Sequence, residues 1–155
     1  QKTLIRQDGS RINLSKDFDE SLVLAMFWSR HCMPCVRELD DIKAFDKRVK
    51  DNGVRVVLIS PSQEWQTPEE QQEFLNKYGA DEMDFYTDER GNMAAALGIF
   101  TSPNTVLINK SGQEIGRIRG AADWDSDAVV EYIYKLKSDY ENLASNSPIH
   151  KDTPK

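Results

Sequence analysis

The chain has 155 residues, 39% of them hydrophobic and 30% charged, with a net charge of −6. That length suits one domain with a sizeable core, and the acidic balance excludes the basic footprint of a nucleic-acid-binding protein. No apolar run approaches the ~20 residues of a membrane-spanning helix. The chain starts without an initiating Met or a signal peptide, so it is expected to be a mature or trimmed form whose targeting segment is missing.

Leu4 to Leu14 reads as a β-hairpin turned at Asp8-Gly9, a strong turn pair. Ser21 to Trp28 is a near-continuous apolar run, as a strand buried on both faces should be. A helix is expected to open at Cys32 and continue to about Asn52, with Leu39, Ile42, Phe45 and Val49 on one face and Gly53 as its stop. Val54 to Ser60 is a second buried strand, giving a right-handed parallel crossover with the first. Thr67-Pro68-Glu69-Glu70 starts a helix with a capping pair and a proline in its first turn. Phe74, Leu75 and Tyr78 form its apolar side, and Gly79 ends it. Asp84 to Thr87 is a short strand and Asn92 to Leu97 a short helix. Thr105 to Ile108 and Glu114 to Arg119 form a hairpin around Lys110-Ser111-Gly112. A last helix spans about Ser126 to Leu143, with Val129, Ile133, Leu136, Tyr140 and Leu143 as its buried stripe. These elements define one domain over 1–144, followed by a polar tail over 145–155 that reads as disordered.

Both cysteines of the chain lie in Trp28-Ser29-Arg30-His31-Cys32-Met33-Pro34-Cys35, where the apolar strand gives way to a helix. A Cys-x-x-Cys pair in a βαβ setting reads as a redox dithiol. Free N–H groups and the positive dipole end at a helix start stabilise a thiolate. Such sites bring a cysteine pKa from about 8.5 into roughly the 3.5–7.5 range. The second sulfur, one helical turn on, is close enough to form a disulfide. Half of a zinc site also uses this spacing, but structural zinc wants four ligands, and the other candidates are His31 and His150, the latter in the polar tail. A purely structural disulfide would close a tiny loop and remove little chain entropy.

Taken together, the chain resembles the TlpA/ResA/CcmG group of cell-envelope thiol–disulfide oxidoreductases. The resemblance rests on Met26-Phe27-Trp28-Ser29, on Cys32-Met33-Pro34-Cys35 followed by Arg37-Glu38, and on Ser102-Pro103-Asn104-Thr105 leading into Val106-Leu107-Ile108-Asn109. It implies an α/β thioredoxin fold with an N-terminal β-hairpin and a central helix–strand insertion over Thr67–Leu97. It further implies that Pro103 is a cis-proline packed against the dithiol and that the Ser102 backbone pairs with an extended substrate segment, as in strand addition. Without the resemblance, Ser102-Pro103 reads as an ordinary turn before a strand.

Cys32, Cys35 and Glu38 are the catalytic candidates; His31, Met33, Pro34, Ser102 and Pro103 are the substrate-binding ones. Glu38 matches the acidic residue that follows the motif in this group. It shares a helical face with Cys35, where a carboxyl can relay a proton and raise a thiol pKa. The alternative is a solvated helix glutamate. Met26 stands where thioredoxins carry a buried aspartate, and it cannot move a proton. His31 replaces the usual Trp, either stabilising the Cys32 thiolate when charged or changing the substrate-facing surface. Asp40 replaces a proline common in the motif helix, which should straighten that helix. Trp28 is expected in the core, as a wall of the site.

The implied activity is reduction of selected protein disulfides, with no cofactor and no metal beyond the dithiol. Apocytochrome c and copper-delivery proteins for cytochrome oxidase are the implied targets, and a membrane electron carrier the implied reductant. The protein would be a monomer, periplasmic or membrane-anchored facing the periplasm. Three rivals stay open: a copper-binding module using His31, Cys32, Met33 and Cys35, which include soft Cu(I) ligands; a thiol peroxidase, for which Ser29 has the spacing but lacks the proline-bearing loop; and a disulfide-installing oxidase.

Overall fold

In the computed structural model, described over residues 3–142 and 151–152, the chain forms one mixed sheet with helices on both faces. Its strands are β1 (Thr3–Ile5), β2 (Arg11–Asn13), β3 (Leu22–Phe27), β4 (Val54–Pro61), β5 (Asp84–Asp88), β6 (Asn104–Asn109), β7 (Glu114–Arg119) and β8 (Lys151–Asp152). The helices are α1 (Met33–Arg37), α2 (Leu39–Val49), α3 (Pro68–Lys77), α4 (Asn92–Ala96) and α5 (Asp127–Asn142). The sheet order is β2-β1-β5-β4-β3-β6-β7-β8. The strands β3, β4 and β5 run parallel and β6 and β7 antiparallel, the thioredoxin arrangement with an N-terminal hairpin and α3–β5 inserted.

Every residue of β3 is buried. Alternation sends Leu22, Leu24 and Met26 to a core shared with Ile42, Phe45 and Val49 of α2 and with Ile133 and Leu136 of α5. Val23, Ala25 and Phe27 join the opposite core with Leu4, Ile12 and Met93. A central strand buried on both sides is rigid, so its C-terminal end is a fixed platform for the loop that carries the cysteines.

The expected single helix from the cysteines to Asn52 is broken. It divides at Glu38 (φ −100°, ψ 3°) into α1 and α2, and a 3₁₀ turn over Lys50–Asn52 finishes it. Loss of the proline at position 40 therefore does not straighten it. The Glu38 N–H turns to the Cys35 carbonyl, three residues back, at 3.3 Å, while its side chain reaches away to the loop before α5. A tighter, three-residue bond thus replaces a rung of the helical ladder.

Thr67 caps α3 as expected, its Oγ1 accepting the Glu70 N–H at 3.1 Å. Gly79 ends the helix at φ +86°, and a Cβ there would stand 2.9 Å from the Asp40 Cβ. It is needed both for its left-handed backbone and for close approach to α2. Of the tail expected to be disordered, only Lys151–Asp152 are described. They form β8 on the open edge of β7, parallel to Gly116 and Arg117, where free backbone groups accept a strand. Leu143 and His150 lie outside the described residues.

Candidate active site

The dithiol sits where β3 ends and α1 begins. Cys32 and Cys35 are joined as a disulfide with Cα atoms 5.3 Å apart. Cys32 is the N-cap of α1, and its Sγ accepts the Cys35 N–H at 3.2 Å. That is the helix-start environment that favours a thiolate. Cys32 is half-buried, whereas Cys35 is 1% exposed. A partner can therefore reach the first sulfur and not the second.

The Ser102–Pro103 peptide is cis, and the Ser102 carbonyl oxygen lies 3.4 Å from the Cys32 Sγ. In the disulfide this is a contact without a proton; a reduced thiol there can donate to the carbonyl. Met33 is 60% exposed, and His31 and Pro34 are exposed beside it. Ser102 is exposed and Pro103 buried. Cys35, the Ser102 carbonyl and the flanking residues His31, Met33 and Pro34 thus stand around the reachable Cys32 sulfur. Trp28 is buried and packs against Trp65 and Phe74, and Met26 lies in the core as an apolar residue.

Glu38 lies beneath this surface. It is 8% exposed, so it is not a solvated helix residue. One carboxyl oxygen accepts the Ala122 N–H at 3.2 Å. Burial pushes its pKa up from the ordinary 4.5 to about 7. The Ala122 N–H and the nearby Trp124 indole oppose that shift, and Asp41 adds to it. The Trp124 Nε1 has no partner of hydrogen-bond geometry, which fits a carboxyl only partly stabilised as an anion. The Glu38 N–H donates to the Cys35 carbonyl, so this residue is tied to the dithiol helix. Among the described residues, no group of three or more His, Cys, Asp or Glu is placed to hold a metal ion.

Sequence reasoning missed Glu64. It accepts the Ser29 hydroxyl and the Arg30 N–H from the loop just before His31. No local signal marks it, because the contact spans 35 residues.

A thioredoxin-fold domain with one reachable and one buried cysteine at a helix start defines a thiol–disulfide oxidoreductase. The chain belongs to the Redoxin family, whose pattern matches residues 1–133. Within it, the chain is similar to the ResA thiol–disulfide oxidoreductases. It is 26% identical over 129 residues to the thiol-disulfide oxidoreductase ResA of Bacillus thuringiensis subsp. konkukian, covering 83% of this chain and 70% of the relative. The fold matches the exposed lipoprotein thioredoxin Etrx1 of Streptococcus pneumoniae, with TM-score 0.65 and 23% identity over 86% of this chain and 97% of that one. It also matches a thiol:disulfide interchange protein from Bacteroides sp., with TM-score 0.70 and 18% identity over 86% of each chain.

Proposed function

We propose that this oxidoreductase reduces selected protein disulfides in the cell envelope, with apocytochrome c and copper-delivery proteins as its candidate targets and a membrane electron carrier as its reductant. The observation that carries this reading is the half-buried Cys32 Sγ between the α1 N-terminus and the Ser102 carbonyl. The Cys32 thiolate attacks one sulfur of the partner's disulfide. The partner's S–S bond breaks, its second sulfur leaves as a thiolate, and a mixed disulfide forms. Cys35 then loses its proton, with Glu38 as acceptor, and attacks the Cys32 sulfur. The Cys32–Cys35 disulfide forms, and the partner's remaining sulfur leaves as a thiolate and takes up a proton. A carboxyl with a pKa near 7 serves such a relay in both directions at neutral pH.

The backbone of Ser102, before the cis-proline, pairs with the partner's extended segment. His31, Met33 and Pro34 form the surface it meets. The reducing direction is supported by Met33-Pro34, which offers the thiolate no charge and no side-chain donor, and by the acidic Glu38 below. A thiolate stabilised less strongly makes the disulfide the favoured form. Ser29, at the spacing a peroxidatic site would use, gives its hydroxyl to Glu64. The envelope location is supported by the ResA likeness and by the pneumococcal neighbour, described as an exposed lipoprotein. No helix among the described residues is long and apolar enough to cross a membrane.

Trapping with Cys35→Ser tests the reading. Mixed disulfides through Cys32 should recover partners that carry a cysteine pair, and Cys32 should alkylate well before Cys35 in the reduced wild type. A reduction potential near the oxidising end of roughly −270 to −120 mV would contradict the direction. Stoichiometric Cu(I) binding without disulfide turnover would favour the copper-binding alternative.

A further inference from the structure

The loop that delivers Cys32 is gripped by a carboxylate that the exchange chemistry does not use. Glu64 lies in the 3₁₀ turn Ser62–Glu64 that follows β4. Its Oε2 accepts the Ser29 hydroxyl at 2.5 Å and its Oε1 accepts the Arg30 N–H at 2.9 Å. The Ser29 Oγ accepts the His31 N–H at 3.1 Å, and the Ser29 carbonyl accepts the Cys32 N–H at 3.1 Å. Three successive backbone N–H groups are thus held by one glutamate and one serine. Charge-assisted bonds of this kind are about twice as strong as neutral ones.

The Arg30 side chain closes the grip from outside. It donates to the Glu64 carbonyl at 3.2 Å and to Glu70 at 3.3 Å, and lies over the Trp65 and Phe74 rings at 4.6 and 5.2 Å. The far end is anchored in the core. Ser60, 1% exposed, accepts the Trp65 indole N–H at 2.8 Å and the Gln71 amide at 2.9 Å. The loop before the cysteines is therefore tied to β4 and α3 as well as to its own strand.

We propose that Glu64 is a positioning residue for disulfide exchange: by clamping Ser29–Arg30 it sets where the Cys32 sulfur stands relative to the Ser102 carbonyl. The proposal rests on the reading that a partner segment docks along Ser102. Exchange needs the attacking sulfur in line with the partner's S–S bond. A small disulfide can turn to meet a displaced sulfur, whereas a polypeptide held by its backbone cannot, and misplacement by about 1 Å costs on the order of a hundredfold.

The test compares full-length Glu64→Ala and Glu64→Gln with wild type on two probes: insulin, as a protein disulfide, and a small aromatic disulfide that makes no backbone contacts. Glu64→Ala should lose about tenfold or more in kcat/KM toward insulin and less than about threefold toward the small probe. Glu64→Gln keeps an oxygen for the Arg30 N–H and should recover most of the loss. An equal loss on both probes, or none on either, would overturn the positioning role. Wild type active on the small probe but not on insulin would instead overturn the docking reading beneath it. Should Glu64→Ala not fold, Ser29→Ala removes one hydroxyl and carries the same test. A loss confined to insulin supports the role, and an unchanged insulin rate contradicts it.

Discussion

Among the described residues, two carboxylates, Asp88 and Glu38, are buried next to helix starts, in different surroundings. Asp88, 2% exposed at the end of β5, gives both oxygens to backbone. Oδ1 accepts the Met93 N–H at 2.8 Å and Oδ2 the Ala94 N–H at 2.9 Å. Those are free donors of the first turn of α4, the groups a cap exists to satisfy. Glu38, 8% exposed, stands before α2 but makes no side-chain cap bond to it. It has one 3.2 Å bond, to an N–H 84 residues away, and its pKa rises to about 7 because burial outweighs that bond. Burial alone does not make a proton-exchanging group. Asp88, with two short backbone bonds, is committed to its helix, whereas burial of Glu38 is offset by a single longer bond.

Replacing each residue tests this contrast, and the larger effect belongs to Glu38. A carboxyl whose folded-state pKa is raised from 4.5 to about 7 contributes its full stabilisation below the unfolded value and loses it as pH rises through the folded one. Glu38→Gln removes that penalty while retaining an oxygen for the Ala122 N–H. In the oxidised protein it should leave stability little changed near pH 4 and raise it by about 3 kcal/mol above pH 8, read by denaturant unfolding at several pH values. The same variant should slow exchange and flatten its pH–rate profile near neutrality. A stability difference independent of pH would mean that folding does not raise the Glu38 pKa above its unfolded value.

Asp88→Ala should do the reverse. It should lower stability by about 2 kcal/mol at neutral pH, from a lost cap and two orphaned N–H groups. The pH–rate profile of exchange should be that of wild type. A changed profile would show that α4 is coupled to the dithiol and would dissolve the distinction between the two sites.

The features legible in the sequence were those with a local cause. The apolar run of β3, the stripe Leu39, Ile42, Phe45 and Val49, the Thr67 cap and both hairpins each follow from neighbours a few residues apart, and all are present. Cys32 at a helix start was legible for the same reason. The cis peptide before Pro103 came only from resemblance, since cis and trans X–Pro differ by a small energy that local sequence does not decide. The hidden features depend on partners far along the chain. The burial of the Glu38 carboxyl depends on the loop at Ala122, and the clamp on Ser29 and Arg30 comes from Glu64. Glu38 was marked by resemblance and not by its own neighbours, and nothing near Glu64 in the chain marks it.

The most direct test is the titration of the Glu38 carboxyl itself, monitored by the chemical shift of its isotope-labelled side-chain carbon in the oxidised protein, with Asp88 observed alongside. The Glu38 midpoint should fall at about 7, so that the group is half-protonated at neutral pH. A midpoint near the ordinary 4.5 would contradict it, leaving Glu38 a buried anion with no proton to exchange with Cys35.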